Sequence, residues 1–423
     1  MPNSDSWKSC LEYAVLSDVG LRRANNQDNF AVRLAGTQQD FDERGHLFMV
    51  ADGMGAHAAG ELASKIAVEV LPLTYQKLRE KNPPEALLAA VVDANAQIHN
   101  RGSSSLDFKG MGTTASTLVL LPEGAIVAHV GDSRAYRVRG GRIEQLTFDH
   151  SLVWELQAAG QKLDDPLPNY VSKNIITRSL GPNLTVQVDI EGPHPLQAGD
   201  AFLLCSDGLS GQVQDDEIGA VLTCLPPDEA VQALIHIANL RGGPDNITVV
   251  VAKVLGPQVA QNVEKPAVQK TAAANAKPIH PMVWTILGVS ALAAIGFFAL
   301  GQMVIAFVAL LTAIITAIMA IFQRQGDSRE GWAIPGRRFG RGPYVTCECA
   351  PNEEFINHLT DMMVQLREAA ASEGWQVDWY NFNQFISRAE TARQAADFTA
   401  SGREYLRAIS FLMTQLKQQK PGE

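Results

Sequence analysis

The chain is short of cysteine and of positive charge, and each shortage removes a class of function. Its five cysteines, Cys10, Cys205, Cys224, Cys347 and Cys349, are odd in number and mostly scattered. They offer neither a disulfide framework nor the ligand pairs of a zinc site, and a reducing compartment follows. Cys347 and Cys349 form a lone Cys-x-Cys with no second pair, which reads as ordinary half-buried strand cysteines. Lys and Arg number 35 against 45 Asp and Glu, giving a net charge of -10. Such a balance excludes a nucleic-acid-backbone binder and leaves carboxylates available for cations. No G-x-x-x-x-G-K-[ST] loop occurs, which argues against nucleotide hydrolysis of the P-loop kind. The N-terminus, MPNSDSWKSCLEYAVLS, lacks the basic start and apolar core of a secretory signal, so the N-terminal domain is expected in the cytoplasm.

Charge of either sign is missing between Lys277 and Arg324. As one helix, the apolar run over 282–322 would be roughly 60 Å long, about twice the hydrocarbon thickness of a bilayer. A split near Gly301 and Gln302 leaves two stretches that each suffice to cross, so a transmembrane hairpin is expected, with one span plus an interfacial helix as the alternative. The basic segment that follows, 323–343, carries Arg324, Arg329, Arg337, Arg338 and Arg341 and reads as cytoplasmic by the positive-inside bias. The expected location is therefore the cell membrane, with catalytic and C-terminal domains on the cytoplasmic side.

At 423 residues two or three domains are expected. From 1 to 255, strand-like runs (HLFMVADG, TASTLVLL, AIVAHVGDSRAYRV, AFLLCSDG, ITVVVAKV) alternate with helical ones such as ELASKIAVEVLPLTYQKLRE and DEAVQALIHIANL, a mixed α+β pattern. The Gly140-Gly141 pair predicts a hairpin turn and an antiparallel component. The segment 149–181 reads as an insertion beside the sheet. Residues 256–281, rich in Ala, Pro, Gln and Lys, form a linker. The tail, 344–423, repeats apolar residues at helical spacing (Phe355, Leu359, Met362, Leu366; then Tyr405, Ile409, Leu412, Leu416) and is expected to be a small all-α domain. Its cluster Trp375, Trp379, Tyr380, Phe382 and Phe385 reads as that bundle's core, and nothing in the tail identifies a partner.

Four aspartates sit at strand boundaries: Asp52 in MVADGMG, Asp132 in AHVGDSRAY, Asp207 in LLCSDGL and Asp245 in PDNITVV. Short acids at the ends of separate strands can converge, and that is how a hard divalent cation collects oxygen ligands. Near the start, SDVGLRRANNQDNF places Arg22 and Arg23 close to Asp28. An Arg fork suits phosphate, and paired metal ions suit in-line attack by water, so phosphoryl hydrolysis is the chemistry these residues suggest.

In their order and spacing, the runs SDVGLRRANNQD, VADGMGAHAAGE, GMGTTAST, HVGDSRAY, DHSLV, ITRSLG, LLCSDGL and PDNITVVV resemble the type 2C (PPM) metal-dependent protein phosphatases, the bacterial branch most closely. The resemblance covers residues 12–254. It implies two packed, mainly antiparallel β-sheets flanked by helices, an α/β/β/α sandwich. It also implies hydrolysis of phosphoserine and phosphothreonine in proteins with Mn2+ or Mg2+, two ions and a third in some relatives, in opposition to a Ser/Thr kinase pathway. By the same resemblance, Asp52 matches the carboxylate bridging two metals, helped by the Gly53 carbonyl, and Asp207 and Asp245 match the remaining ligands. Asp132 matches a third-metal ligand, Arg23 the phosphate-binding arginine, Asp28 the acid that hydrogen-bonds the attacking water, and His57 a helper in protonating the leaving group. Two departures stand out: Gln27 replaces a family Glu and Ala56 a family Gly. Gln27 is expected to weaken the second metal, and it carries the competing reading of a catalytically weak or silent phosphoprotein-binding module.

Overall fold

A computed structural model describes residues 10–56, 58–160, 175–256 and 339–419, with parts of 289–312 and Ile334. One compact unit spans Met1–Asn262 together with Trp332–Glu423, and a second spans Val263–Gly331.

The first unit contains twelve described strands: β1 (Leu11–Asp18), β2 (Asp28–Arg33), β3 (His46–Met54), β4 (Gly112–Thr113), β5 (Ala115–Leu121), β6 (Gly124–Val130), β7 (Arg134–Arg139), β8 (Arg142–Gln145), β9 (Asp189–His194), β10 (Ala201–Cys205), β11 (Ile247–Val254) and β12 (Val345–Glu348). One sheet runs β1-β11-β10-β7-β8-β12 and the other β2-β3-β5-β6-β9, with β4 on the end of β3. Every pairing is antiparallel. Gly140 and Gly141, at φ 56° and 78°, close the β7–β8 hairpin with both central residues left-handed, as a type I′ turn requires.

The strand side chains alternate between two faces, and both faces are covered, which is why the sequence shows continuous apolar runs. Phe202 and Leu204 of β10 meet Phe48 and Val50 of β3 between the sheets. Leu203 and Cys205 point the other way, into a second core. α1 (Gln38–Arg44) adds Phe41 to the core between the sheets, and on the outer face of the β3 sheet α2 (Ala59–Lys77) and α3 (Pro83–Ser103) bury Ala63, Ala67, Leu71, Leu87 and Ile98. The α3 start is capped by Asn82, whose side chain accepts from the Glu85 amide. After the short α4 (Leu152–Ala158) and α5 (Asp207–Ser210), the helices α6 (Asp215–Cys224) and α7 (Pro227–Leu240) cover the β11 sheet. The result is the expected four-layer arrangement.

The tail supplies α8 (Glu353–Ser372), α9 (Trp379–Gln394) and α10 (Phe398–Gln419) and also β12, a strand that the helical reading of 344–423 did not include. β12 pairs with β8 and holds Cys347 half-buried, with Cys349 buried just beyond it. The tail helices do not form a core of their own. Ile356, Leu359, Tyr405, Leu406 and Ile409 join Ile218, Val221 and Leu234 of α6 and α7 in one cluster. Gly402 lets α10 approach α6 closely, for a Cβ there would lie 3.0 Å from Cys224 Sγ. Arg407 clasps Glu229 through two bonds of 2.6 and 2.8 Å. Of the tail aromatics, Phe382 is buried whereas Tyr380 is 75% exposed.

The membrane anchor expected over 282–322 is overturned: among the described residues, no helix is long and apolar enough to cross a membrane. The helical residues 296–299 end in a turn at Gly301, left-handed at φ 75°, which caps the helix there. The turn falls where the split was expected, but a run of uncharged residues selects only for burial and does not by itself set the length of a helix. The hairpin, the single span and the membrane localisation fall together. Apart from Gly256, the linker 256–281 lies outside the described residues, as do much of 282–322 and most of 323–343.

Candidate active site

The carboxylates reach one end of the sandwich because strands from both sheets stop there. Asp28 opens β2 and pairs in register with Asp52 near the end of β3. Asp132 follows β6 in a Gly131 turn, Asp207 follows β10 at the start of α5, and Asp245 precedes β11. Asp28 and Asp132 are buried, while Asp52, Asp207 and Asp245 are half-buried.

The glycines after Asp52 and Asp207 are there for space rather than for unusual backbone angles. A Cβ on Gly53 would stand 2.1 Å from the Gly60 carbonyl oxygen, and one on Gly208 would stand 2.0 Å from that of Asn246. Both positions bring a turn against a neighbouring backbone and fix where the preceding aspartate sits.

Withdrawal from water and mutual repulsion hold protons on the cluster. Burial, countered by the Ser206 hydroxyl and then aggravated by the Asp207 and Asp245 charges, raises Asp28 to about 7. Burial, followed by Asp28, Asp207 and Asp132, raises Asp52 well above the usual carboxylate range. Asp132 rises to about 7 through burial and then through Asp207 and Asp149, and Asp207 rises through burial and then Asp245. Carboxylates that disfavour their own ionisation in this way are waiting for a cation.

The side chains fit one. The Oδ1 atoms of Asp28, Asp132 and Asp207 are buried without a hydrogen-bond donor, which is costly for a carboxylate unless an ion or water faces it. Among the described residues, no three His, Cys, Asp or Glu side chains form a ready coordination group. A hard ion of the magnesium kind needs no such group, since it keeps several waters and binds through one or two carboxylates.

Arg23 stands at the rim, its guanidinium 2.6 Å from Asp245 Oδ2 and half exposed. Its loop is pinned by residues that the sequence reading passed over although they lie inside the quoted runs. Asn246 donates to the Val19 and Asn25 carbonyls, both at 3.0 Å, and accepts from the Gln27 amide at 2.9 Å. The Ser206 hydroxyl donates to Asp28 Oδ2 at 2.7 Å, and Thr114 Oγ1 accepts from the Asp52 amide at 2.9 Å. The Gln27 carbonyl accepts from the Gly53 amide at 3.2 Å and from the Ser64 hydroxyl at 2.5 Å, so its backbone braces the metal loop. Its side chain donates to the Gly55 carbonyl at 3.5 Å. His57 lies outside the described residues.

A protein-family model described as Protein phosphatase 2C matches residues 22–238, half of the chain. The chain belongs to the protein phosphatase 2C family. Over 245 residues it is 39% identical to protein phosphatase PhpP of Streptococcus pneumoniae serotype 2, covering 56% of this chain and 96% of that protein. Over 254 residues it is 37% identical to serine/threonine protein phosphatase PstP of Mycobacterium tuberculosis, covering 58% of this chain and 45% of that protein. Among solved structures it is similar to the Streptococcus agalactiae serine/threonine phosphatase, with a TM-score of 0.51 and 38% identity over 58% of this chain and 99% of that one. This protein phosphatase 2C enzyme is a metal-dependent protein serine/threonine phosphatase. The family match ends at residue 238, so β12 and the tail helices are additions to the matched core.

Proposed function

We propose that the phosphatase removes phosphate from phosphoserine and phosphothreonine side chains of proteins, opposing a Ser/Thr kinase, at the carboxylate cluster beside Arg23. The observation that carries this is the convergence of Asp28, Asp52, Asp132, Asp207 and Asp245, raised in pKa or paired with Arg23, at one end of the sandwich. Asp52, the Gly53 carbonyl, Asp207 and Asp245 would hold two Mn2+ or Mg2+ ions, and Asp132 with Asp207 a third. When bound, such ions lower the pKa of water and neutralise charge on a phosphoryl group.

The protein's own groups do the positioning. Arg23 is tied to Asp245 by one nitrogen, so its planar fork keeps further donors for two phosphate oxygens. Asp28 has one oxygen held by Ser206 and the other without a donor, which suits it to orient a water and accept its proton. His57 is the residue proposed to protonate the departing serine or threonine oxygen. The role of Gln27 is kept to backbone bracing and a weaker second ion.

The test is manganese-dependent hydrolysis of a phosphothreonine peptide by the full chain, with Asp52→Asn and Asp207→Asn as controls. Turnover in the wild type and its loss in both variants is expected. Manganese binding without turnover would favour the phosphoprotein-binding reading instead.

A further inference from the structure

We propose that the C-terminal helix α10 is a positioning element of the active site, acting through Lys417 on the loop that carries Arg23. This rests on the phosphate-binding role proposed for Arg23. Lys417 Nζ donates to Asp18 Oδ2 at 2.7 Å. The other oxygen of Asp18 accepts from the Gly20 amide at 3.0 Å and from the Asn239 side chain at 3.2 Å. Asp18 is thus the post on which the turn leaving β1 is hung, and a residue 399 positions later in the chain holds that post.

The turn leads straight to the reacting groups. Gly20, left-handed at φ 79°, packs so tightly on the site that a Cβ there would lie 2.2 Å from the Asp245 carbonyl oxygen. The next amide, of Leu21, donates to the Gly243 carbonyl at 2.8 Å, and Arg23 meets Asp245 two residues later. A displacement of Asp18 therefore moves Gly20 against the backbone of a proposed metal ligand and shifts the phosphate arginine. Lys417 is 47% exposed and the Asp18 side chain 21%, so the pair is a modest, salt-sensitive tie. A tie of that strength adjusts a loop without being needed to fold the domain. α10 lies beyond the residues matched to the family, so the device belongs to this chain's added tail.

The experiment compares full-length wild type, Lys417→Ala and Lys417→Arg by steady-state kinetics on a phosphothreonine peptide and by hydrogen exchange of residues 19–25. Lys417→Ala is expected to raise KM about threefold to fivefold with kcat within twofold and Tm within about 2 °C. It should also speed exchange in 19–25, and Lys417→Arg should restore both readouts. In the Asp18→Asn background, Lys417→Ala should change neither. Unchanged exchange in 19–25, or a failure of Lys417→Arg to restore it, overturns the proposal whatever the turnover. A wild type without turnover would sink the phosphatase reading, while the exchange measurement still decides the coupling.

Discussion

Replacing Asp132 by Asn should stabilise the metal-stripped phosphatase while weakening its response to manganese. Asp132 is buried, and burial with the charges of Asp207 and Asp149 moves its carboxyl from the ordinary 3.8 to about 7. The unfolded chain ionises this group near 3.8 and the folded one only near 7. Below 3.8 both states are protonated and there is no penalty; the penalty grows through the interval and is complete above 7. At about 1.4 kcal/mol per pH unit, the full cost is about 4 kcal/mol, and relaxation of the neighbouring acids reduces it to about 2–4 kcal/mol. An amide of the same shape carries no such cost. In chelator at pH 8, Asp132→Asn should therefore melt about 4–8 °C above wild type, and at pH 4 the difference should vanish. Saturating manganese should close the gap by stabilising the wild type by about 2.7 kcal/mol at a hundredfold excess over Kd. Thermal unfolding across pH 4–8, with and without metal, reads all of this. Equal melting temperatures at pH 8 in chelator, or a gain that ignores pH, would refute the reasoning.

Other substitutions probe separate parts of the argument. Arg23→Ala should lower kcat/KM for a phosphopeptide by about a hundredfold, and Arg23→Lys should recover only a small part, because a point charge cannot replace a fork already tied to Asp245. Gly208→Ala places a methyl 2.0 Å from a backbone oxygen that cannot swing away, and urea unfolding should show a loss of about 3 kcal/mol with activity abolished. Gly402→Leu should wedge α10 off α6 at Cys224 and cost about 1–3 kcal/mol; no change in the urea midpoint would mean that α10 does not pack tightly on α6 there.

Much of the catalytic core was legible in the sequence because its signals are local. Alternating and continuous apolar runs name strands, Gly140-Gly141 names a hairpin, and an acid at each strand boundary marks where a sheet end can gather charge. The membrane expectation failed at the point where local signal is weakest. An apolar run states a need for burial and can mark a break at Gly301, where a turn does fall, but it does not set how long the helix on either side is. The tail was legible as helices but not as a layer on α6 and α7, because its stripes of Ile356, Leu359, Tyr405 and Ile409 would serve a free-standing bundle equally well. Likewise Asn246, Ser206 and Thr114 carry no mark in their own neighbourhoods, since their bonds run to loops and strands far away in the chain.

By itself, then, the sequence determined which residue types are present for phosphoryl chemistry and which strands deliver them, since side-chain chemistry and backbone periodicity are local properties. Only the tertiary structure decided that burial and neighbouring charge suppress the ionisation of Asp28, Asp52, Asp132 and Asp207, that Gly53 and Gly208 are required by backbones 2.1 and 2.0 Å away, and that Lys417 reaches Asp18. Those facts depend on distances between separate segments, some as far apart in the chain as the 399 positions from Asp18 to Lys417, and such distances exist only after the chain has packed.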